Sequence, residues 1–173
     1  MKKEIDVLDY AKEIMKAVEK GVLLTTKTDG KVNSMTISWG TLGIEWGKPI
    51  FTAFVRESRF SRENLDKNPE FTINMPVGEF DKKILSVCGS KSGRDMDKIK
   101  DLNLTLEEPK NISVPAIKEL PLTLECKVIY KQEQDLKAMT KENADKFYAA
   151  NEAGKIDMHI VYCAEIVSAY IVE

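Results

Sequence analysis

Val22-Leu23-Leu24-Thr25-Thr26-Lys27-Thr28-Asp29-Gly30-Lys31-Val32-Asn33-Ser34-Met35-Thr36-Ile37-Ser38-Trp39 is the stretch on which the fold turns. Residues 22–28 are rich in the β-branched and apolar types that suit a pleated, half-buried surface. Asp29-Gly30 is a strong two-residue hairpin signal, because both central positions of that turn need positive φ. The return strand over 31–39 alternates. Val32, Ser34, Thr36 and Ser38 share one face, and Asn33, Met35, Ile37 and Trp39 share the other. A connection this short has no room for the crossover helix of a parallel βαβ unit, which argues against a doubly wound nucleotide fold.

Working outward, residues 5–20 carry apolar side chains at helical spacing and end at Gly21. A glycine-marked loop is expected over 40–47, a third strand over 50–55, and a short helix over 58–67 closed by Asn68-Pro69. Residues 70–75 read as a fourth strand ended by Pro76. Residues 79–88 have helical spacing with Gly89 placed as a C-terminal cap, and 92–99 add a further helical turn or two. Leu122, Leu124, Cys126, Val128 and Tyr130 alternate with polar neighbours as a half-buried strand. A polar surface helix anchored by Ala138, Met139 and Phe147 is expected over 135–152, and a long apolar strand over 159–172. About six antiparallel strands with flanking helices predict a mainly β, closed or partly closed barrel, as one domain over 1–173.

The 26 basic and 28 acidic residues are interspersed, for a net charge of -2. Neither nucleic acid nor a membrane surface is expected as a partner on that balance, and 8% aromatic residues disfavour a single-strand-binding barrel. The N-terminus carries acidic residues early and has no signal-like apolar run. Cys88, Cys126 and Cys163 match neither a zinc site nor a disulfide framework, so a cytoplasmic, reducing setting is expected. Cys126 and Cys163 read as packing residues within strands.

Three stretches carry chemistry. In Phe54-Val55-Arg56-Glu57-Ser58-Arg59-Phe60-Ser61-Arg62 a strand ends and a helix begins among serines and arginines. A helix start favours an anion, Arg56 and Arg59 can bind phosphate oxygens, and Ser58 and Ser61 can donate through their hydroxyls. From spacing alone a capping Ser58 flanked by solvated arginines is an open alternative. The strand of Asn33, Ser34, Met35, Thr36 and Ser38 offers hydrogen-bonding groups beside an apolar plate, which a planar heteroaromatic ring needs; a plain hairpin with a polar face is the alternative. Cys88-Gly89-Ser90-Lys91-Ser92-Gly93-Arg94-Asp95 reads as a glycine–serine loop between helices. It lacks the GxxxxGK[ST] spacing of a phosphate-binding loop.

In their order along the chain these stretches resemble the flavin reductase-like FMN-binding split-barrel family, which includes flavoredoxin-type proteins. The resemblance rests on Asn33-Ser34-Met35-Thr36-Ile37-Ser38-Trp39, Arg56-Glu57-Ser58-Arg59-Phe60-Ser61, Asn68-Pro69-Glu70-Phe71-Thr72-Ile73-Asn74 and Ser92-Gly93-Arg94-Asp95-Met96-Asp97-Lys98. Val114-Pro115-Ala116-Ile117 and Leu124-Glu125-Cys126-Lys127-Val128 match a later strand, and His159 with Ala164-Glu165-Ile166 the closing one. Where relatives carry Gly-Asp-His, this chain has Asp157-Met158-His159.

The resemblance implies a split β-barrel that binds FMN and uses NADH or NADPH as electron donor. The chain would act as a flavin or ferric reductase, or as an electron carrier or flavin store. The acceptor would be a small molecule or a protein. It also implies a homodimer with flavin near the interface, to which the N-terminal helix and last strand contribute. Arg56, Ser58, Arg59 and Ser61 would hold the phosphate, and Asn33, Ser34, Met35, Thr36 and Ser38 would line the ring and ribityl chain. Cys88, Gly89 and Ser90 would close over it. Trp39 and Trp46 read as core or loop anchors, with shielding of the ring by Trp39 as the alternative.

Overall fold

The structure, a computed structural model, describes residues 1–173. Its elements in chain order are β1 (Lys2–Glu4), α1 (Ala11–Lys20), β2 (Val22–Thr28), β3 (Lys31–Ile37), β4 (Gly40–Glu45), β5 (Lys48–Arg56), α2 (Phe60–Lys67), β6 (Glu70–Met75), α3 (Lys83–Ser90) and α4 (Lys98–Asp101). There follow β7 (Leu106–Glu107), β8 (Ala116–Ile117), β9 (Leu122–Glu133), a 3-10 turn (Leu136–Ala138), α5 (Lys141–Phe147) and β10 (His159–Val172).

The β2–β3 hairpin forms as its sequence dictates. Thr25 pairs with Ser34 and Thr28 with Lys31, and Asp29 and Gly30 adopt φ of 52° and 77° at the tip. From this hairpin an antiparallel sheet runs in the order β3-β2-β6-β9-β10-β5-β4, and β1 continues along β10 with Lys2 opposite Val172. Two irregularities in the β9–β10 ladder, at Cys163/Ala164 and Ile166/Ser168, are the kind of bulge that lets a long strand bend. The chain passes directly from β3 to β4, yet these two strands are the opposite ends of the sheet and share no ladder. The sheet therefore curls into a barrel left open along one seam, a mainly β split barrel. Its interior holds Val22 and Leu24 from β2, Met35 and Ile37 from β3, Phe51 and Val55 from β5, Phe71 and Ile73 from β6, Leu124 from β9 and Tyr162 from β10. A second, smaller core of Leu23, Ile84, Cys88, Leu104, Ile117 and Leu120 seats α3 and β8 on the outside of β2. None of the helices is long and apolar enough to cross a membrane.

The eight strands of this sheet and the separate β7–β8 pair exceed the six expected. The expected 40–47 loop is a strand. Gly40 is opposite Ala53 and Glu45 opposite Lys48, and Trp46 and Gly47 form a second tight turn with φ of 51° and 70°. Gly40 is there for close approach, since a Cβ would stand 2.8 Å from the Phe51 ring. The first helix starts at Ala11 rather than at residue 5, because Ile5 N extends the β1 pairing by donating to Ala169 O and Asp6 Oδ1 accepts from Leu8 N. Gly89 lies inside α3, not beyond it, and Lys91 closes the helix. The expected 135–152 helix is broken into the 3-10 turn and α5. Its buried anchor is Tyr148, while Ala138 is exposed.

Candidate functional site

At one end of the barrel, β3, the turn before α2, the end of α3 and the segment ahead of β10 enclose a cavity of about 240 Å³. Asn33, Met35, Arg56, Ser58, Arg59, Ser61 and Ser90 line it together, so the structure gathers these sequence-derived candidates around one space. Asn33 and Met35 point into it from the same face of β3. The others do not reach it, for reasons of strand geometry. Successive residues of a strand point to opposite faces, so both faces of β3 cannot line one pocket. Ser34 turns to the other side and pairs its hydroxyl with Thr25 Oγ1 at 2.7 Å, within a buried polar layer that includes Thr72, Asn74 and Thr123. Thr36 donates to Leu85 O at 2.6 Å, and Ser38 is exposed beyond the end of the strand. Cys88 is buried in the smaller core. Gly89 packs against Thr36, and its carbonyl accepts from Arg59 Nη1 at 3.3 Å. Cys88, Gly89 and Ser90 are thus the last turn of a helix rather than a closing loop.

The lining is strongly cationic, with Arg56, Arg59, Lys91, Arg94 and Lys98 against the single carboxylate of Asp157. A concave site with this imbalance favours an anion. Sequence reasoning missed Lys98, which is only 3% exposed and whose Nζ donates to Lys91 O at 3.2 Å. Burial pushes its ammonium pKa down, the Cys88 thiol holds it partly back, and the nearby Arg59 guanidinium adds to the depression. A lysine so enclosed is rare without an anionic partner. Burial pushes the Cys88 thiol up, with Lys98 opposing, so this sulfur is not set up as a thiolate. Arg94 donates to Ser58 O at 3.1 Å, pairs with Glu63 and lies over the Phe60 ring. Gly93 approaches so closely that a Cβ would overlap Asn33 Oδ1 and stand 2.8 Å from Phe60 Cδ1. Asn33 Nδ2 in turn donates to Ser61 Oγ at 3.0 Å. No buried side-chain nitrogen or oxygen lacks a hydrogen-bond partner, so the lining is already held in place.

Arg56 and Ser58 are engaged by the chain itself. Arg56 donates to Asp157 O at 2.6 Å and Phe147 O at 3.2 Å, and its guanidinium lies over the Tyr148 ring. Ser58 N and Oγ donate to the two Asp157 carboxylate oxygens at 3.0 and 2.6 Å. The alternative of Ser58 as the cap of α2 does not hold, because the helix begins at Phe60 with Arg59 at its N-cap.

Beyond Arg56 an aromatic wall adjoins the cavity. Trp39 meets the Phe147 ring edge-on at 5.1 Å and the His159 ring at 4.9 Å. The Tyr148 hydroxyl stands 2.7 Å from both Gln134 Oε1 and His159 Nδ1. A carbonyl oxygen only accepts, so Tyr148 donates to Gln134 and accepts from His159 Nδ1–H, which leaves Nε2 without the proton. Burial, then the Arg56 guanidinium, lowers the His159 pKa to about 4, with Asp157 opposing and Arg59 adding to the fall.

A family profile described as flavin reductase like domain matches residues 15–173. An uncharacterized protein of Archaeoglobus fulgidus is 31% identical over 99 residues, covering 57% of this chain and 55% of that protein, so the chain matches about half the length of this relative. Among solved structures, a flavoredoxin from Methanosarcina acetivorans superposes with a TM-score of 0.67 at 25% identity, over 88% of this chain and 68% of that one. An FMN-binding domain of a flavin reductases-like enzyme from Shewanella baltica gives 0.66 at 18% identity, over 99% and 77%. A profile match over nearly the whole length, a split barrel shared with these structures, and a cationic cavity at the end of β3 agree: the chain belongs to the flavin reductase-like family.

Proposed function

We propose that this protein binds FMN in the cavity beside β3 and passes reducing equivalents from NADH or NADPH to a flavin, ferric, other small-molecule or protein acceptor. The observation that carries the reading is the cluster of five cations around a seat of about 240 Å³. That volume is below the roughly 300 Å³ at which pockets for whole drug-sized ligands begin, so the seat suits a phosphate tail. Arg59, Lys98 and Arg94 supply charge for the monoester. Ser61, whose Oγ accepts from Asn33 Nδ2, keeps its hydroxyl proton to donate, whereas Ser90 lines the seat with its own proton on Ser86 O. Asn33 and Met35 form the wall beside the tail, and Trp39 and His159 form the surface beyond it. Bound flavin supplies the redox chemistry. The chain's residues orient it and exclude water. His159, neutral with Nε2 free, presents an acceptor rather than a charge to whatever lies against Trp39.

The likeness to a flavoredoxin supports a second reading, an electron carrier with no nicotinamide turnover of its own. One set of spectra separates the two. A yellow protein that bleaches on adding NADH or NADPH is the reductase; one that bleaches only with dithionite is the carrier. A colourless protein that takes up no FMN sinks both. Arg59→Ala should weaken FMN at least tenfold while leaving riboflavin within threefold, and equal losses would refute the phosphate seat.

The same reading includes a homodimer and a reducing, cytoplasmic setting for the three free cysteines. Leu8 and Met15, exposed on the N-terminal segment, and Ile44 and Trp46, exposed at the β4 tip, are apolar surface for such a contact. Sedimentation should give a particle of twice the 19.6 kDa chain mass, and a monomer at micromolar concentration would reject this part.

A further inference from the structure

The geometry points to Asp157 as the residue that sets which anionic tail the cavity accepts, admitting a dianionic phosphate monoester and turning away a monoanionic diester. This rests on reading the cavity as a phosphate seat. The Asp157 carboxylate is the only acidic group on the lining, and it occupies donors that a ligand anion would use, with one oxygen on Ser58 N at 3.0 Å and the other on Ser58 Oγ at 2.6 Å. It is firmly placed. Its carbonyl accepts from Arg56 at 2.6 Å, and the next residue's carbonyl, Met158 O, accepts from Glu57 N at 2.9 Å. An entering anion therefore meets one that is already bound.

Exchange at a shared pair of donors is decided by charge and basicity. A phosphodiester carries one negative charge, no more than the carboxylate it must displace. A monoester carries about −1.5 to −2 at neutral pH and has three terminal oxygens. Lys98, Arg59 and Arg94 surround the same space, and their attraction grows with the charge of the incoming group. A dianion thus gains more from these cations than the carboxylate loses by leaving Ser58, whereas a diester does not. Displacement also removes one of the ties on residues 134–158. Apart from Asp157, that strap is held by Glu57 N on Met158 O, by Gln134 N on His159 O, by Arg56 on Phe147 O and over the Tyr148 ring, by the Tyr148 hydroxyl and by Phe147 against Trp39.

Two measurements test this on the purified protein, with inorganic phosphate and dimethyl phosphate as probes at matched ionic strength. Calorimetric titration should show phosphate binding at least tenfold tighter than dimethyl phosphate, and Asp157→Asn, with no carboxylate to displace, should bind dimethyl phosphate at least tenfold tighter than the wild-type protein does. The substitution keeps an oxygen that can accept from Ser58 N but removes the charge. The second measurement needs no variant. Tryptic cleavage at the exposed Lys137, Lys141, Lys146 and Lys155 of the strap should accelerate at least threefold with phosphate and stay unchanged with dimethyl phosphate. Equal affinity of the wild-type protein for both probes, no gain in dimethyl phosphate affinity in Asp157→Asn, or cleavage that phosphate leaves unchanged or slows would each overturn the assignment. Riboflavin titrated into the same preparations reports separately on the flavin reading, because riboflavin carries no phosphate and does not contest Ser58.

Discussion

His159 is the only histidine of the chain, and its surroundings make it a base that the fold keeps neutral. Burial and the Arg56 guanidinium hold its pKa near 4, against about 6.5 for the unfolded chain. The sign of the linkage follows. Above pH 6.5 neither state binds the proton and the contribution to stability is fully present. Between 6.5 and 4 the unfolded chain takes up a proton that the folded one refuses, so stability falls with pH by at most about 1.4 kcal/mol per pH unit. Urea unfolding should show a steeper loss from pH 6.5 to 4.5 in the wild-type protein than in His159→Gln, and parallel curves would mean that His159 does not titrate with folding. The residue scale is also where the sequence was least legible. Arg59 and Ser61 were readable because a helix start with arginines and serines is a local pattern. Lys98 was not, because nothing in its neighbours shows that α4 folds its ammonium beneath the end of α3. Ser34 and Thr36 were misplaced because alternation says that two faces differ, not which of them meets the cavity.

At the scale of elements, what the sequence states locally, the structure repeats. Asp29-Gly30 defines a turn whose strands follow from it, and β6 and β10 run over the residues their apolar patterns predict. The failures are elements whose cause is a distant contact. Gly40 marks a loop when read alone, yet it lies in a strand because the Phe51 ring leaves no room for a side chain. Gly89 has the look of a cap, yet it sits inside α3 because β3 packs there, with Thr36 against the glycine and bonded to Leu85 O. Within the strap over 134–158, the sequence predicts one helix over 135–152. Thr140 starts α5 by accepting from Asn143 N, and the helix gives out at Phe147, where the chain must turn to bury Tyr148 against His159. Long-range packing overrides local propensity at each of these places.

The molecule as a whole is organised around two cores that share β2, and this division bears on the site. Val22 and Leu24 face the barrel interior, while Leu23 between them faces outward to Ile84, Cys88, Leu104, Ile117 and Leu120. The outer wall of the cavity, from Ser90 through Lys98, is strung between Cys88 and Leu104 and is anchored at both ends in that smaller core. Damage there should reach the ligand before it reaches the fold. Ile117→Ala removes buried methyl groups at a general cost of about 2–5 kcal/mol, and Phe71→Ala in the barrel interior costs a similar 3–5 kcal/mol. Comparable losses of stability should nonetheless separate in function. Under conditions where both variants keep their far-UV circular dichroism, Ile117→Ala should lose at least tenfold in FMN affinity, because the wall opens locally without the barrel. Phe71→Ala should stay within threefold, because the barrel and its attached wall unfold together or not at all. Amide exchange checks the cause: in Ile117→Ala the amides between Lys98 and Leu104 should lose protection while those of β6 and β9 keep theirs. Equal affinity losses in the two variants, or uniform loss of protection across the chain, would show that the two cores fail as one unit and that the cavity wall has no stability of its own.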